Sequence, residues 1–117
     1  MNLTRLHTGP RMSQVTVFNG VVYLAGQIPR ANLGASIEEQ TAEVLSNVER
    51  LLHEAGSDKS RILFCQIFLR SLDDFAGMSR VWDDWVVLGA TPPRATVQAQ
   101  LATRTCLIEV VTTAALA

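Results

Sequence analysis

Two prolines introduce a strictly alternating segment of the chain, Thr91-Pro92-Pro93-Arg94-Ala95-Thr96-Val97-Gln98-Ala99-Gln100-Leu101. The alternation of apolar and polar side chains has the two-residue period of a half-buried β-strand. Because each proline fixes its own φ and Pro93 also restricts Pro92, we expect Arg94 at the first strand position, with its direction set by the backbone. A guanidinium is a planar fork of donors that matches a carboxylate or a phosphate. A small-anion anchor and an ordinary surface arginine both fit this position.

A second segment, Thr105-Cys106-Leu107-Ile108-Glu109-Val110-Val111-Thr112, places one carboxylate in a continuous apolar run. Such a run is typical of a central strand that is covered on both faces. Burying Glu109 without a partner costs several kcal/mol, so we expect a partner, a proton or a water-filled cleft beside it. The carboxylate then belongs either to a structural ion pair or to a site where a raised pKa lets it handle protons.

The two segments are separated by a short stretch, residues 102–104, that is expected to form a turn. In that case the strands form an antiparallel hairpin, with Thr96 and Val97 roughly opposite Glu109. Arg94 then lies about three residues further along the strand, which leaves room for a small ligand between the arginine and the glutamate.

The rest of the chain supplies two helices and three more strands. Asn19-Gly20 lies between two apolar runs and predicts a two-residue hairpin, because both positions accept a positive φ. Ser36 and Glu39 form a capping box that begins a long amphipathic helix, and Gly56 ends it. A mostly buried strand is expected over residues 61–70.

A second helix of similar length is expected after a cap formed by Ser71 and Asp74, with Gly89 at its end. The resulting order is β-β-α-β-α-β-β in a single domain of residues 1–117. This predicts an α+β fold in which two helices pack on one face of a mixed sheet. The other sheet face then needs cover, and in so small a protein another copy of the chain is the simplest cover.

Composition excludes several classes of function. Hydrophobic residues make up 48% of the chain and charged residues 18%, an apolar surplus that predicts an oligomer. The net charge of −1, without a basic cluster, argues against nucleic acid as the main partner. No apolar run approaches the roughly 20 residues of a membrane span and no leader is recognised, so a cytoplasmic protein is expected. Cys65 and Cys106, in separate predicted strands, are interpreted as buried thiols rather than a disulfide. No metal or cofactor motif is found.

Several short motifs occur in an order and spacing that resemble a known family. They are Met12-Ser13-Gln14, Asn19-Gly20, Val22–Pro29, Glu39-Gln40-Thr41, Asn47, Ala55-Gly56, Asp74-Phe75, Pro93–Thr96 and Ile108–Val110. From about residue 11 onward, the chain resembles the reactive-intermediate (imine/enamine) deaminase family, RidA or YjgF, called L-PSP endoribonuclease in older usage. The resemblance implies a chorismate-mutase-like fold and a homotrimer with clefts between neighbouring subunits.

The resemblance also implies an activity and a set of site residues. The family reaction is hydrolysis of 2-imino or enamine acids to 2-keto acids and ammonia, without a metal or an organic cofactor. Arg94 matches the arginine that binds the substrate carboxylate, and Glu109 matches the glutamate that positions or activates water. Gly26 lies where a backbone amide helps to hold the ligand.

Four further positions of the expected substrate site differ from the family pattern. Met12 replaces a usual tyrosine, Ala25 a usual serine, Thr96 a frequent cysteine and Ser79 a frequent asparagine. The loss of two hydroxyls removes polar groups that would help to place water. We therefore expect a diverged member, with a pocket shaped for a different or more apolar side chain.

Three functions follow from these residues. The first is a hydrolytic imine or enamine deaminase acting on a small carboxylate-bearing metabolite. The second is a non-catalytic trimer that binds small carboxylates as a sensor or buffer, which the missing hydroxyls favour. The third is an endoribonuclease, which needs a basic groove and stacking aromatic residues. We rank it last because the chain has only two Trp, one Tyr and four Phe.

Overall fold

The structure is a computed structural model that describes residues 2–117. Six strands form one mixed sheet in the order β1-β2-β3-β6-β4-β5, and two helices pack against it. The elements are β1 (Leu3–Thr8), β2 (Ser13–Phe18), β3 (Val21–Leu24), α1 (Ile37–Glu54), β4 (Ile62–Leu69), α2 (Phe75–Trp85), β5 (Arg94–Gln98) and β6 (Ile108–Ala115). The predicted α+β class with a mixed sheet and two helices is confirmed.

The local signals in the first half of the chain act as predicted. Asn19 and Gly20 have φ of 55° and 78°, and they join β2 to β3 in a two-residue turn. The Ser36 side chain accepts a hydrogen bond from the backbone N–H of Glu39 and caps α1. Gly56, with φ of 89°, follows the end of α1.

Both helices lie on one face of the sheet and form the core with it. The largest buried side chains of this core are Val15, Val22, Val44, Leu45, Val48, Leu51, Leu52, Ile67, Leu69, Met78 and Ile108. The other side of the sheet, which we call the open face, carries large apolar side chains that are exposed. They are Leu3, Phe18, Tyr23, Phe64 and Val97. The expectation that one face is left uncovered within a single chain is confirmed.

The order of the last two strands differs from the prediction. β5 runs parallel to β4, whereas β6 is inserted antiparallel between β3 and β4. The predicted antiparallel hairpin of β5 and β6 is therefore wrong. Phe68 of β4 pairs with Val97 on one side and with Glu109 on the other, so Val97 and Thr96 do not lie opposite Glu109.

Burial explains why β6 lies inside the sheet and β5 at its edge. Every second residue of β6 is fully buried, so the strand gains most at the centre of the sheet. β5 follows two prolines, which lack the N–H that an inner strand must donate, and a sheet edge tolerates them. In one chain β6 is nevertheless covered on one face only, because its alternate residues remain partly exposed on the open face.

Smaller features of the structure also differ from the predictions. The sequence pattern did not predict strand β1, which pairs along its length with β2. Helix α2 has 11 residues against 18 in α1, and it ends at Trp85 because Val86 is extended, with ψ of 157°. Gly89 lies in the loop beyond, and the Ser71 side chain caps a 3₁₀ turn over Leu72–Asp74 rather than α2 itself.

The two cysteines are free thiols, as predicted, but only one of them lies in a strand. Cys65 and Cys106 are both buried and free. Cys65 lies in β4, but Cys106 precedes β6 and belongs to no strand. Within residues 2–117, no helix combines the length and hydrophobicity that a membrane crossing requires.

Candidate functional site

Arg94 begins β5 at the edge of the sheet. The backbone N–H of Cys65 donates to the carbonyl of Pro93 at 3.1 Å, and Cys65 pairs with Arg94 in the register of β4 with β5. The proline-led entry therefore fixes the strand start, as the sequence predicts. The Arg94 side chain points to the helix side of the sheet, where it contacts α2.

Aromatic rings of α2 hold the Arg94 guanidinium in place. Its carbon lies 5.4 Å from the ring centre of Phe75 and 5.2 Å from that of Trp82. Nη2 donates to the Ser79 hydroxyl at 3.2 Å, and Nη1 lies 3.8 Å from the sulfur of Met78. Such cation–π contacts contribute roughly 0.5–2 kcal/mol, more when the pair is shielded from water. The fork is therefore oriented before any ligand arrives.

No carboxylate of residues 2–117 lies within salt-bridge distance of Arg94. A half-buried guanidinium without an anionic partner is ready to bind an anion from outside the chain. Thr96, two residues further along β5, faces the same side of the sheet. Its hydroxyl is buried and has no hydrogen-bond partner within the described part of the chain. We call Arg94, Ser79 and Thr96 the arginine group.

Cys65 lies next to the arginine group but is not a candidate nucleophile. Burial raises the pKa of its thiol, although a contact of 3.3 Å with the Thr112 hydroxyl and the charge of Arg94 oppose this. A thiol that stays protonated is a weak nucleophile.

Glu109 occupies the open face of β6, since its neighbours Ile108 and Val110 are buried under the helices. Its carboxylate lies directly on Gly26. A Cβ at Gly26 would be 2.1 Å from Oε2 and 3.0 Å from Cδ of Glu109. Only a residue without a side chain leaves room for the carboxylate in this position.

An extra residue in the chain after β3 creates this close approach. Tyr23 pairs with Thr113, and the next pairing is Gln27 with Val110, so four residues on one side correspond to three on the other. This is the count of a β-bulge, which often re-aims side chains beside functional sites. The bulge covers Ala25 and Gly26.

Met12 and Ala25 lie at the same end of the sheet as Gly26 and Glu109. The backbone N–H of Ala25 donates to the carbonyl of Gln14 at 2.9 Å, which brings the start of β2 beside the bulge. Met12 precedes β2 and is 47% exposed. We call Met12, Ala25, Gly26 and Glu109 the glutamate group.

The two groups do not meet within one chain. Arg94 pairs with Cys65 and Glu109 pairs with Phe68, on the two strands that flank β4. Their Cα atoms are thus roughly 10 Å apart across the sheet and about 10 Å along it. They also face opposite sides of the sheet. The expected space for a ligand between them in a hairpin is therefore wrong for a single chain.

The aromatic residues around Arg94 were not predicted as part of the site. Phe75, Met78 and Trp82 repeat at helical spacing, which predicts a stripe of core residues, and Met78 and Trp82 are indeed buried. Phe75 is 44% exposed at the end of that stripe. Their helical spacing was visible, but only the packing of α2 on β5 shows that they surround the arginine. Among residues 2–117, no group of three His, Cys, Asp or Glu side chains is placed to hold a metal ion.

The chain is similar to known proteins over nearly its whole length. The family model for endoribonuclease L-PSP matches residues 3–116. A RutC family protein of Haemophilus ducreyi is 39% identical over 114 residues, covering 97% of each chain. The RutC family protein YoaB of Escherichia coli is 44% identical over 101 residues, 86% of this chain and 87% of that protein.

A solved structure extends this similarity to the fold. The crystal structure of NMB1025, a YjgF family protein of Neisseria meningitidis, superposes with a TM-score of 0.96 at 40% sequence identity. The match covers 100% of this chain and 97% of that one. The similarity therefore includes the edge strand of Arg94 and the central strand of Glu109.

Proposed function

Because the chain belongs to the endoribonuclease L-PSP (YjgF) family, we propose that it hydrolyses reactive 2-imino and enamine acids to 2-keto acids and ammonia. Arg94 binds the substrate carboxylate, and Glu109 positions the attacking water. The observation that carries this proposal is the pre-oriented guanidinium of Arg94, which has no carboxylate partner in the described chain. The expected cytoplasmic location and absence of a cofactor are part of the same proposal.

The proposed site is a cleft between two subunits. Within one chain the arginine and glutamate groups face opposite sides of the sheet, so a complete site requires the arginine group of one copy and the glutamate group of another. The exposed apolar open face supports such an assembly, because Tyr23, Phe64 and Val97 remain 40–49% exposed in the single chain. We propose a homotrimer, in which each subunit contributes one group to each of two clefts.

Hydrolysis of an imine requires few catalytic groups. The imine carbon is already electrophilic, so the site has to hold the carboxylate, deliver water and move protons. Glu109 accepts a proton from water as the water oxygen bonds to the imine carbon. That proton passes to the nitrogen and gives a carbinolamine. Glu109 then takes the proton of the new hydroxyl group and passes it to the same nitrogen, so the C–N bond breaks and ammonia leaves as the keto group forms. Water is consumed and no oxidant or reductant is needed.

Gly26 contributes space rather than a proton. Because it has no side chain, it leaves room for the Glu109 carboxylate on the open face. Met12 and Ala25 offer no hydroxyl beside it, so we expect weaker activity and a preference for apolar substrates.

A second candidate is a trimer that binds small carboxylates without turning them over. The apolar Met12 and Ala25 in the glutamate group favour it, because they cannot help to place water. It uses the same arginine group and predicts that Glu109 is dispensable. An endoribonuclease, the activity in the description of the family model, is the weakest candidate because the chain carries a net charge of −1.

The deciding experiment generates 2-imino acids with an amino-acid oxidase and follows the release of keto acid. We expect the wild-type protein to accelerate release above the buffer rate. Glu109→Gln, which keeps size and polarity, should reduce the rate by roughly 10²–10⁴, the usual contribution of general acid–base catalysis. Asp84→Asn, an exposed carboxylate of α2, is the matched control and should behave as wild type. No acceleration by wild type, with keto-acid binding retained, would favour the non-catalytic candidate.

A further inference from the structure

A cleft of about 320 Å³ opens between α1 and the strands β1 and β2. Seven of its eight lining residues are polar or charged, and only Leu51 is apolar. The sheet order places this cleft near the edge opposite to β5, so it is separate from the arginine group. The proposed function leaves this cleft unused. Its size is at the lower end of the range for small-molecule sites.

The positive charges of the cleft are only partly balanced. The carboxylate of Glu43 accepts hydrogen bonds from the backbone N–H groups of Arg30, Ala31 and Asn32 at 2.8, 3.0 and 3.0 Å. Burial alone would raise the pKa of Glu43, but these bonds outweigh it and hold the pKa below its ordinary value. The carboxylate thus serves the loop backbone. The Arg30 guanidinium has no carboxylate partner among residues 2–117.

Arg50 supplies a second guanidinium from α1. It forms an ion pair with Glu54 one turn later, at 3.2 Å. This pair is exposed, so it contributes little to stability in water. Arg30 and Arg50 both line the cleft, one from the loop after β3 and one from the helix. Two forks from separate elements suit a bidentate acceptor such as a carboxylate or phosphate.

His7, which also lines the cleft, has a strained backbone conformation. His7 has φ of 53° inside β1, where a non-glycine residue rarely adopts the left-handed region. Strand alternation would place His7 on the open face with Leu3 and Arg5. Instead the ring lies on the helix side, lines the cleft and contacts the carboxylate of Glu54. Backbone strain of this kind is concentrated at functional sites.

Two side-chain amides, those of Gln14 and Asn47, add donors to the cleft, and a third amide orients one of them. Gln27 is buried and donates to Gln14 Oε1 at 2.9 Å and to the carbonyl of Ala25 at 3.0 Å. This arrangement uses the oxygen of Gln14 and leaves its amide nitrogen available in the cleft. The Asn47 amide, from α1, also lines the cleft and has no hydrogen bond to the described residues.

We propose that this cleft is a binding site for a small organic anion that bears a carboxylate or a phosphate. The anion bridges the guanidinium groups of Arg30 and Arg50, and the amides of Gln14 and Asn47 bind its remaining oxygens. Donors outnumber free acceptors here, which disfavours a cation. The cleft is formed within one chain, so it does not depend on the subunit assembly of the deaminase proposal.

The test uses two probes, inorganic phosphate and succinate, each added to isotope-labelled protein that carries Arg94→Ala. That background weakens anion binding at the proposed substrate site by roughly 10–150-fold. Backbone amide NMR signals of Arg30 and Asn47 should shift and saturate in the millimolar range at constant ionic strength. Arg30→Gln should weaken this binding roughly tenfold or more, because it removes a charge-assisted pair. Arg104→Gln, an exposed arginine outside the cleft, is the control and should leave it unchanged.

Each outcome decides the proposal. Saturation with phosphate alone assigns a phosphate-bearing ligand, and saturation with succinate alone assigns a carboxylate. Two results would overturn it: no saturable shift with either probe up to about 50 mM, or equal weakening by Arg30→Gln and Arg104→Gln. Because Arg94 is already replaced, failure here leaves the deaminase proposal untouched.

Discussion

The arginine group and the glutamate group are held by different means. Arg94 is fixed by side chains, with two aromatic rings and the Ser79 hydroxyl around its guanidinium. Glu109 depends on the backbone for its space, since a bulge brings Gly26, which has no side chain, against its carboxylate. The anchor is therefore complete within one chain and should tolerate small changes of its surroundings. The glutamate carboxylate has room in its position only because Gly26 has no side chain, so a single methyl group there is enough to displace it.

The largest effect is expected when Gly26, the backbone neighbour of the Glu109 carboxylate, gains a side chain. Gly26→Ala places a Cβ 2.1 Å from Glu109 Oε2, so the flexible end of the glutamate must move away. We expect imine hydrolysis to fall by roughly 10² or more, close to the loss in Glu109→Gln. Keto-acid binding and the thermal unfolding midpoint should change little. Unaltered activity would show that the position of Glu109 does not matter.

Removal of the anchor should have the next largest effect. Arg94→Ala deletes a charge-assisted pair worth roughly 1.5–3 kcal/mol, which lowers keto-acid affinity by roughly 10–150-fold. Calorimetry with pyruvate or 2-oxobutyrate measures the loss, and Arg104→Gln controls for the change in net charge. A mutant that binds keto acids as tightly as wild type would contradict the assignment of Arg94.

An equal mixture of the Arg94→Ala and Glu109→Gln variants tests whether the arginine group and the glutamate group of one site come from different subunits. Arg94→Ala and Glu109→Gln should each be nearly inactive, but subunits exchanged by unfolding and refolding together should form mixed trimers. Random assembly puts both native residues in about a quarter of the clefts. We therefore expect about a quarter of the wild-type rate in an equal mixture. If both groups served one site within a chain, no activity would return.

The smallest effect concerns the rings around the anchor. Phe75→Leu removes one cation–π contact, worth about 0.5–1 kcal/mol at a partly exposed site, so keto-acid affinity should fall by about two- to fivefold. Phe75→Tyr keeps the ring and should restore binding. If Leu and Tyr gave the same affinity, the ring would be only a packing surface.

Much of the local structure could be predicted because its causes lie within a few residues. Asn19-Gly20 specifies its turn through positive φ, and Ser36 caps α1 through a bond three residues away. The motif order predicted the family and its α+β fold. The residue types of Arg94 and Glu109, each set in an otherwise strand-like pattern, also marked these two positions as unusual.

The tertiary structure decided which strands are neighbours and therefore which residues meet. β6 was predicted beside β5, but its buried alternate residues give it the centre of the sheet and leave β5 at the edge. Alternation along a strand specifies two faces but not the partners on either side, which depend on burial summed over the whole core. For the same reason, only the packed chain shows Gly26 under Glu109, α2 around Arg94, and His7 turned toward α1.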